Sequence, residues 1–156
     1  MTEHVLLGLT KANMHTTTSE IAIKAPPHIV WSLLTDPESV KLWQYGSVLT
    51  TTWEPGTRIQ FRSEWAGQVF EQWGNVIEVT PPKFLKYSLF APRPDLADTP
   101  ENYFYMSYSL AEADGMTTLT ITQEDPRPGA GESGGDSNEE ENSVLKTLKQ
   151  LAEAKA

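Results

Sequence analysis

Cysteine is absent from the 156-residue sequence. Its absence excludes disulfide bonds, thiolate metal ligands and a cysteine nucleophile together. A chain without cysteine suits a reducing compartment, and we expect a cytoplasmic protein. The apolar run within residues 1–10 follows no basic segment, and no apolar run is long enough to span a membrane. Neither a secretory signal nor a membrane anchor is therefore predicted.

Histidine is nearly as scarce as cysteine. His4, His15 and His28 are the three in the chain, and none has the spacing of a zinc-binding HxxxH or HExxH motif. The glycine-rich stretch 126–135 lacks both a phosphate-binding lysine and dinucleotide-binding spacing. We therefore predict no metal ion, no cofactor and no catalytic residue, and a binding role is favoured over an enzymatic one.

Basic residues are outnumbered by acidic ones, 12 to 21, for a net charge of −9. Seven acidic residues lie between Glu124 and Glu141, where Arg127 is the one basic residue, so this run carries −6 of the total. Binding to nucleic acid or to an anionic membrane needs a concentrated basic surface, and neither is predicted. The acidic run is interpreted as a solvated loop and helix start, with a docking patch for a basic partner as the alternative.

The length and the hydrophobic content of 38% predict one globular domain. Residues 1–18 are interpreted as an N-terminal extension and residues 19–156 as the domain. Within it, residues 20–24 alternate as in a strand, and Pro26-Pro27 then favours the start of a helix. A second short helix is predicted from Asp36 as N-cap, with Pro37 at its first position.

From residue 48 onward, apolar alternation and turn residues predict a meander of antiparallel strands. The predicted strands are 48–53, 57–65, 68–79, 84–90, 103–111 and 117–124. An amphipathic helix over 138–155 follows, with Ser137 and Glu140 at capping-box spacing. The result is an α+β fold in which one helix covers the apolar face of one sheet. A meander collects the longer connections 91–102 and 125–136 at one end, where we expect a cavity mouth or a docking surface.

Strand 68–79 does not alternate cleanly. Val69 and Trp73 compete with Phe70 and Val76 for the inner face, so a β-bulge or an apolar outer patch is expected. In a regular strand either Glu71 or Gln72 must point inward. A carboxylate in an apolar cavity would have a raised pKa and could act as a general acid or base.

The stretch 23–37, which reads IKAPPHIVWSLLTDP, resembles the opening of the START-like (SRPBCC) superfamily. More narrowly, it is similar to bacterial homologues of the activator of heat-shock protein 90 ATPase, in their C-terminal-type domain. Segments 53–56, 76–87 and 117–122 extend the resemblance, which covers residue 19 to the C-terminus. It implies the helix-grip fold of the birch-pollen allergen. That fold has a curved antiparallel sheet of about seven strands, two short helices after the first strand and a long C-terminal helix.

The resemblance leaves three functions open, because this superfamily hosts lipid carriers, hormone receptors, co-chaperones and cyclases. The leading hypothesis is non-enzymatic binding of a small hydrophobic molecule between the sheet and the C-terminal helix. The first alternative is a protein-interaction role, the co-chaperone-like stimulation of a heat-shock protein 90 ATPase. As partners, a homodimer or another protein is left open. The second alternative is a polyketide-cyclase-like enzyme.

Aromatic residues carry the ligand-binding hypothesis. The chain has five tryptophans, more than a small core needs if most of them face inward. Core packing is the alternative explanation, whereas an apolar pocket with a few polar tips is typical of a small-molecule site. The predicted cavity residues are Trp31, Leu34, Phe61, Trp65, Gln72, Trp73, Tyr87, Phe104, Met106, Tyr108, Ile121, Leu148 and Leu151.

Overall fold

A computed structural model describes residues 15–44, 46–126 and 134–156, without the side chains of Trp65 and of residues 134–142. Most of the predicted N-terminal extension, the glycine-rich loop 127–133 and much of the acidic run therefore lie outside the described residues. The elements are β1 (His15–Ile23), α1 (Pro27–Thr35), α2 (Pro37–Trp43), β2 (Val48–Thr51), β3 (Arg58–Trp65), β4 (Gln68–Thr80), β5 (Phe84–Leu89), β6 (Phe104–Ala113), β7 (Met116–Asp125) and α3 (Gly134–Lys155), with a single 3₁₀ turn at Pro100–Asn102.

The element order matches the prediction, and two element starts differ by more than one residue. β1 begins at His15 and pairs with β7 from its first residue, so residues 15–18 belong to the sheet and not to an extension. These residues include three threonines, whose β-branched side chains favour strands without producing an apolar alternation. α3 already includes Gly134, so Ser137 lies inside the helix instead of capping it.

The seven strands form one antiparallel sheet in the order β1-β7-β6-β5-β4-β3-β2. Strands β2 to β7 follow the predicted meander, and β1 adds beside β7. α3 covers the inner face of the curved sheet with Leu145, Leu148 and Ala152, all buried. The predicted α+β helix-grip fold is confirmed.

Prolines and one aspartate set the boundaries of the two short helices. Pro26 is extended and precedes Pro27 at the start of α1, where a missing N–H costs no hydrogen bond. Asp36 ends α1 and begins α2, and its carboxylate accepts from Glu38 N at 3.4 Å and from Ser39 Oγ at 3.2 Å. The predicted N-cap is confirmed.

Two tryptophan side chains donate hydrogen bonds to backbone carbonyl groups at the C-terminal end of α1. Trp43 Nε1 donates to the Leu33 carbonyl oxygen at 2.7 Å, and Trp53 Nε1 donates to that of Thr35 at 2.8 Å. The last carbonyl groups of a helix have no partner within it, so they need donors from elsewhere. These indoles therefore hold α2 and the segment after β2 against α1, and part of the aromatic richness is structural.

A β-bulge in β4 resolves the facing of that strand. Val76 pairs with Tyr87 and Glu78 pairs with Lys86, which leaves Ile77 without a register partner. Both expectations for this strand hold, because Ile77 is also exposed on the outer face, at 41%.

β4 and β5 approach each other closely beside Gly74. A methyl group there would stand 2.5 Å from the Ser88 carbonyl carbon, closer still to its oxygen, and 3.1 Å from Leu89 Cα. Only glycine fits at this close approach of the two strands without moving the backbone.

A small polar cluster joins α3 to the end of β1. The Glu153 carboxylate accepts hydrogen bonds from the Lys24 backbone N–H, at 2.9 Å, and from Lys149 Nζ. Lys149 Nζ also donates to the Ala22 carbonyl oxygen at 3.4 Å. The hydrogen bond from Lys149, followed by that from Lys24, lowers the pKa of the Glu153 carboxyl from its ordinary value.

Candidate functional site

A cavity of about 370 Å³ lies between the inner face of the sheet, the end of α2 and Val144 of α3. The strand residues around it come from the late part of β3, β5 and β7 and from the early part of β4 and β6. These strand ends lie at the end of the sheet from which the longer connections leave. The cavity therefore sits toward the end of the molecule where its mouth was expected.

Seven of the predicted cavity residues line this space. They are Phe61, Gln72, Tyr87, Phe104, Met106, Tyr108 and Ile121. All seven come from β3 to β7, and apolar alternation identified the inner face of each of these strands except β4, which supplies Gln72.

Five of the remaining predicted residues lie elsewhere. Leu34 and Leu148 are fully packed core residues, and Trp31 and Leu151 are half-buried against the same core. Alternation and helical spacing show which face a residue occupies but not how far along the element the cavity extends. Trp73 lies on the outer face. The side chain of Trp65 is outside the described part of the structure.

Eight further lining residues were not predicted from the sequence. They are Trp43, Gln44, Ser47, Ser63, Phe70, Leu89, Gln123 and Val144. Period-two alternation from predicted neighbours could have identified Ser63, Leu89 and Gln123. Gln44 and Ser47 follow α2 and belong to no alternating pattern. They line the cavity because the end of α2 packs beside it.

Two tyrosine hydroxyl groups form the buried polar feature of the cavity. Tyr87 and Tyr108 are each 3% exposed, and their Oη atoms are 2.8 Å apart, so one donates a hydrogen bond to the other. The Tyr87 ring also packs against Phe61 and Trp53, with centroids 5.8 Å and 6.2 Å away. Burial, reinforced by Tyr108, raises the pKa of the Tyr87 hydroxyl well above its ordinary value. Tyr87 is therefore protonated at neutral pH and can donate a hydrogen bond.

The rest of the described wall is apolar or uncharged. Gln72 and Gln123 are half-buried, and the described residues offer no hydrogen-bond partner to either side-chain amide. Glu71 is exposed on the outer face and accepts a hydrogen bond from Gln60 Nε2 at 2.6 Å. The hypothesis that Glu71 points into the cavity and acts as a general acid or base is therefore wrong. The register with β3 turns Gln72 inward instead.

Trp73 belongs to an aromatic cluster on the outer face. Its indole Nε1 donates to Asp98 Oδ2 at 3.0 Å, and Tyr103 Oη donates to Asp98 Oδ1 at 2.6 Å. Phe90 lies between the two rings, with centroids 5.6 Å and 5.4 Å away. Burial and the Asp98 carboxylate raise the pKa of the Tyr103 hydroxyl. These contacts hold the connection 91–102 against the sheet.

Two other kinds of site receive no support from the described residues. Among them, no group of three histidine, aspartate or glutamate side chains is placed to hold a metal ion. Of the helices in the described ranges, none is long and apolar enough to cross a membrane.

Comparison with known proteins agrees with the fold and identifies relatives. Residues 24–154 match the family described as Activator of Hsp90 ATPase homolog 1-like protein. No curated protein matches the chain. The solution structure of ChR145 from Cytophaga hutchinsonii is 27% identical, with a TM-score of 0.76 over 90% of this chain and 95% of that one.

More distant solved structures share the fold alone. The Aha1 dimer from Colwellia psychrerythraea is 17% identical, with a TM-score of 0.67 over 89% of this chain and 97% of that one. Ara h 8.0201 is 13% identical, with a TM-score of 0.67 over 89% and 97%. The resemblance read from residues 23–37 is thus confirmed. Because the family match spans most of its length, this chain belongs to the Activator of Hsp90 ATPase homolog 1-like family.

Proposed function

We propose that this protein binds a small hydrophobic molecule in the cavity between the sheet and α3, without transforming it chemically. The observation that carries the proposal is the composition of the cavity wall. Aromatic and aliphatic side chains surround a space of about 370 Å³, and hydroxyl and amide groups supply a few polar atoms. Pockets of roughly 300–1,000 Å³ with such a lining are typical of small-molecule sites.

The size of the cavity limits the ligand and the affinity. At a liquid-water volume of roughly 30 Å³ per molecule, the space corresponds to about a dozen waters, and hence to a ligand of about a dozen non-hydrogen atoms. An efficiency of about 0.3 kcal/mol per atom gives a binding free energy of about 4 kcal/mol, or a Kd of about 1 mM. Better-matched ligands bind more tightly, so ligand screens need to begin at millimolar concentrations.

A cavity-filling substitution tests the proposal. Native mass spectrometry of the purified chain first shows whether a molecule co-purifies, and a ligand-observed NMR screen then supplies binders. Val144→Phe adds a ring to the cavity wall, whereas Val69→Phe makes the same change at an exposed position on the outer face. We expect Val144→Phe to weaken binding at least tenfold and Val69→Phe to leave it unchanged. Equal affinity in both variants would contradict the proposal.

A second candidate function is stimulation of an Hsp90 ATPase, with another protein as the partner. The family match over residues 24–154 favours it, since the family is named for that activity. The test measures ATP turnover by Hsp90 from the same organism with and without this protein. Unchanged turnover at saturating concentration rejects the candidate.

Two further expectations belong with these proposals. A homodimer is proposed by likeness to the solved dimer from Colwellia psychrerythraea, and sedimentation analysis of the full chain tests it. A cytoplasmic location is proposed from the absence of cysteine. A polyketide-cyclase-like reaction has no supporting observation, because no carboxylate lies on the described cavity wall.

A further inference from the structure

We propose that the natural occupant of the cavity is an uncharged molecule with a planar aromatic body. A hydroxyl or carbonyl group on it would hydrogen-bond to the Tyr87–Tyr108 pair. The proposal rests on the ligand-binding function above and specifies its ligand class.

The described wall carries no charged side chain. A charged group moved from water into such a space loses its hydration without gaining a counter-charge, which costs several kcal/mol. Asp125, two residues beyond Gln123 on β7, is buried, but it does not line the cavity and takes part in an interaction of its own. A carboxylate at that position offers no counter-charge to an anionic ligand. The described wall itself supplies none to either a carboxylate or an ammonium group.

The hydroxyl pair supplies the polar anchor. A tyrosine hydroxyl has one proton to donate and two lone pairs to accept with, and the Tyr87–Tyr108 hydrogen bond uses one of these positions on Tyr87. Either tyrosine can be the donor within the pair. Tyr87 Oη can accept from a ligand hydroxyl, or it can donate to a ligand carbonyl.

The aromatic side chains around the pair favour a flat ligand. The rings of Phe61 and Tyr108 lie 5.8 Å and 5.9 Å from that of Tyr87, at interplanar angles of 43° and 33°. A flat ligand ring can join such a group of wall aromatics in offset or edge-to-face contact, the arrangements that aromatic rings prefer. The half-buried amides of Gln72 and Gln123 add donors and acceptors for further uncharged polar groups on the ligand.

Matched naphthalene derivatives test the charge and the anchor separately. The probes are 2-naphthol, 2-naphthoate, 2-naphthylmethylammonium and 2-methylnaphthalene, titrated against the full chain at pH 7 and followed by NMR. We expect 2-naphthol to bind at least tenfold more tightly than either charged probe. Tyr87→Phe should weaken 2-naphthol about two- to tenfold, the loss expected for one hydrogen bond, and leave 2-methylnaphthalene unchanged.

Tyr105→Phe is the control variant, since Tyr105 lies on the outer face, where Lys86 Nζ is 5.5 Å from its ring. Tyr108→Phe serves as a second anchor variant, and the comparison of probes on the unmodified protein needs neither substitution to fold. A charged probe that binds as tightly as 2-naphthol overturns this inference, as does an unchanged 2-naphthol affinity in both anchor variants. In these cases the ligand-binding function stands. If no probe binds and no molecule co-purifies with the protein, both proposals fail.

Discussion

Gly74→Ala tests whether the close approach of β4 and β5 requires a glycine at this position. The added methyl group would lie 2.5 Å from the Ser88 carbonyl carbon, whereas carbon atoms pack at about 3.5–4.0 Å. The strands must therefore separate by about 1 Å at this point. That movement lengthens the two backbone hydrogen bonds between Trp73 and Phe90, now 3.3 Å and 2.7 Å, and the bond from Asn75 N to Ser88 Oγ, now 3.1 Å.

Three weakened hydrogen bonds at about 0.5–1.5 kcal/mol each lower the free energy of unfolding by about 1.5–4.5 kcal/mol. For a chain of this length, each kcal/mol shifts Tm by about 2–4 °C, so Tm should fall by roughly 3–18 °C. Urea unfolding followed by tryptophan fluorescence measures the change. Asn75→Ala, at an exposed neighbouring position, should stay within about 0.5 kcal/mol of the unmodified protein. A cost below about 1 kcal/mol for Gly74→Ala would refute the reasoning.

Three further substitutions test other contacts. Trp43→Phe leaves the Leu33 carbonyl without its buried donor, so the free energy of unfolding should fall by about 1–3 kcal/mol in urea titrations; no loss would show that water replaces the indole. Asp98→Asn removes one acceptor for the outer aromatic cluster, and amide hydrogen exchange should accelerate in residues 91–102 while α3 keeps its rate; equal acceleration in both would contradict a local role. The folded-state pKa of Glu153 is lowered, so its stabilisation is present above the unfolded pKa and is lost as pH falls through the folded pKa. Glu153→Gln should therefore reduce stability at pH 7 and not at pH 2, and equal losses at both pH values would exclude the Lys149 pairing as the cause.

The cavity wall, and not the fold, distinguishes the functions that this family leaves open. The same helix-grip architecture occurs in the dimer from Colwellia psychrerythraea and in Ara h 8.0201 at identities of 17% and 13%. At such identities, few lining residues need be shared, and function has to be argued from the site. Here the proposal of a neutral ligand rests on the tyrosine pair and on the absence of charge from the described part of the wall.

Alternation and turn residues in the sequence determined the strands, the two proline-started helices and the inner face of the sheet. Six cavity residues followed from the inner-face alternation, because a period of two fixes which face a strand residue occupies; the facing of Gln72 was left open. Tertiary structure alone decided the rest. The bulge at Ile77 and the register with β3 placed Trp73 outside, and depth along each element separated core residues such as Leu148 from the cavity wall. The Tyr87–Tyr108 hydrogen bond joins residues 21 positions apart, and no local sequence pattern encodes that pairing.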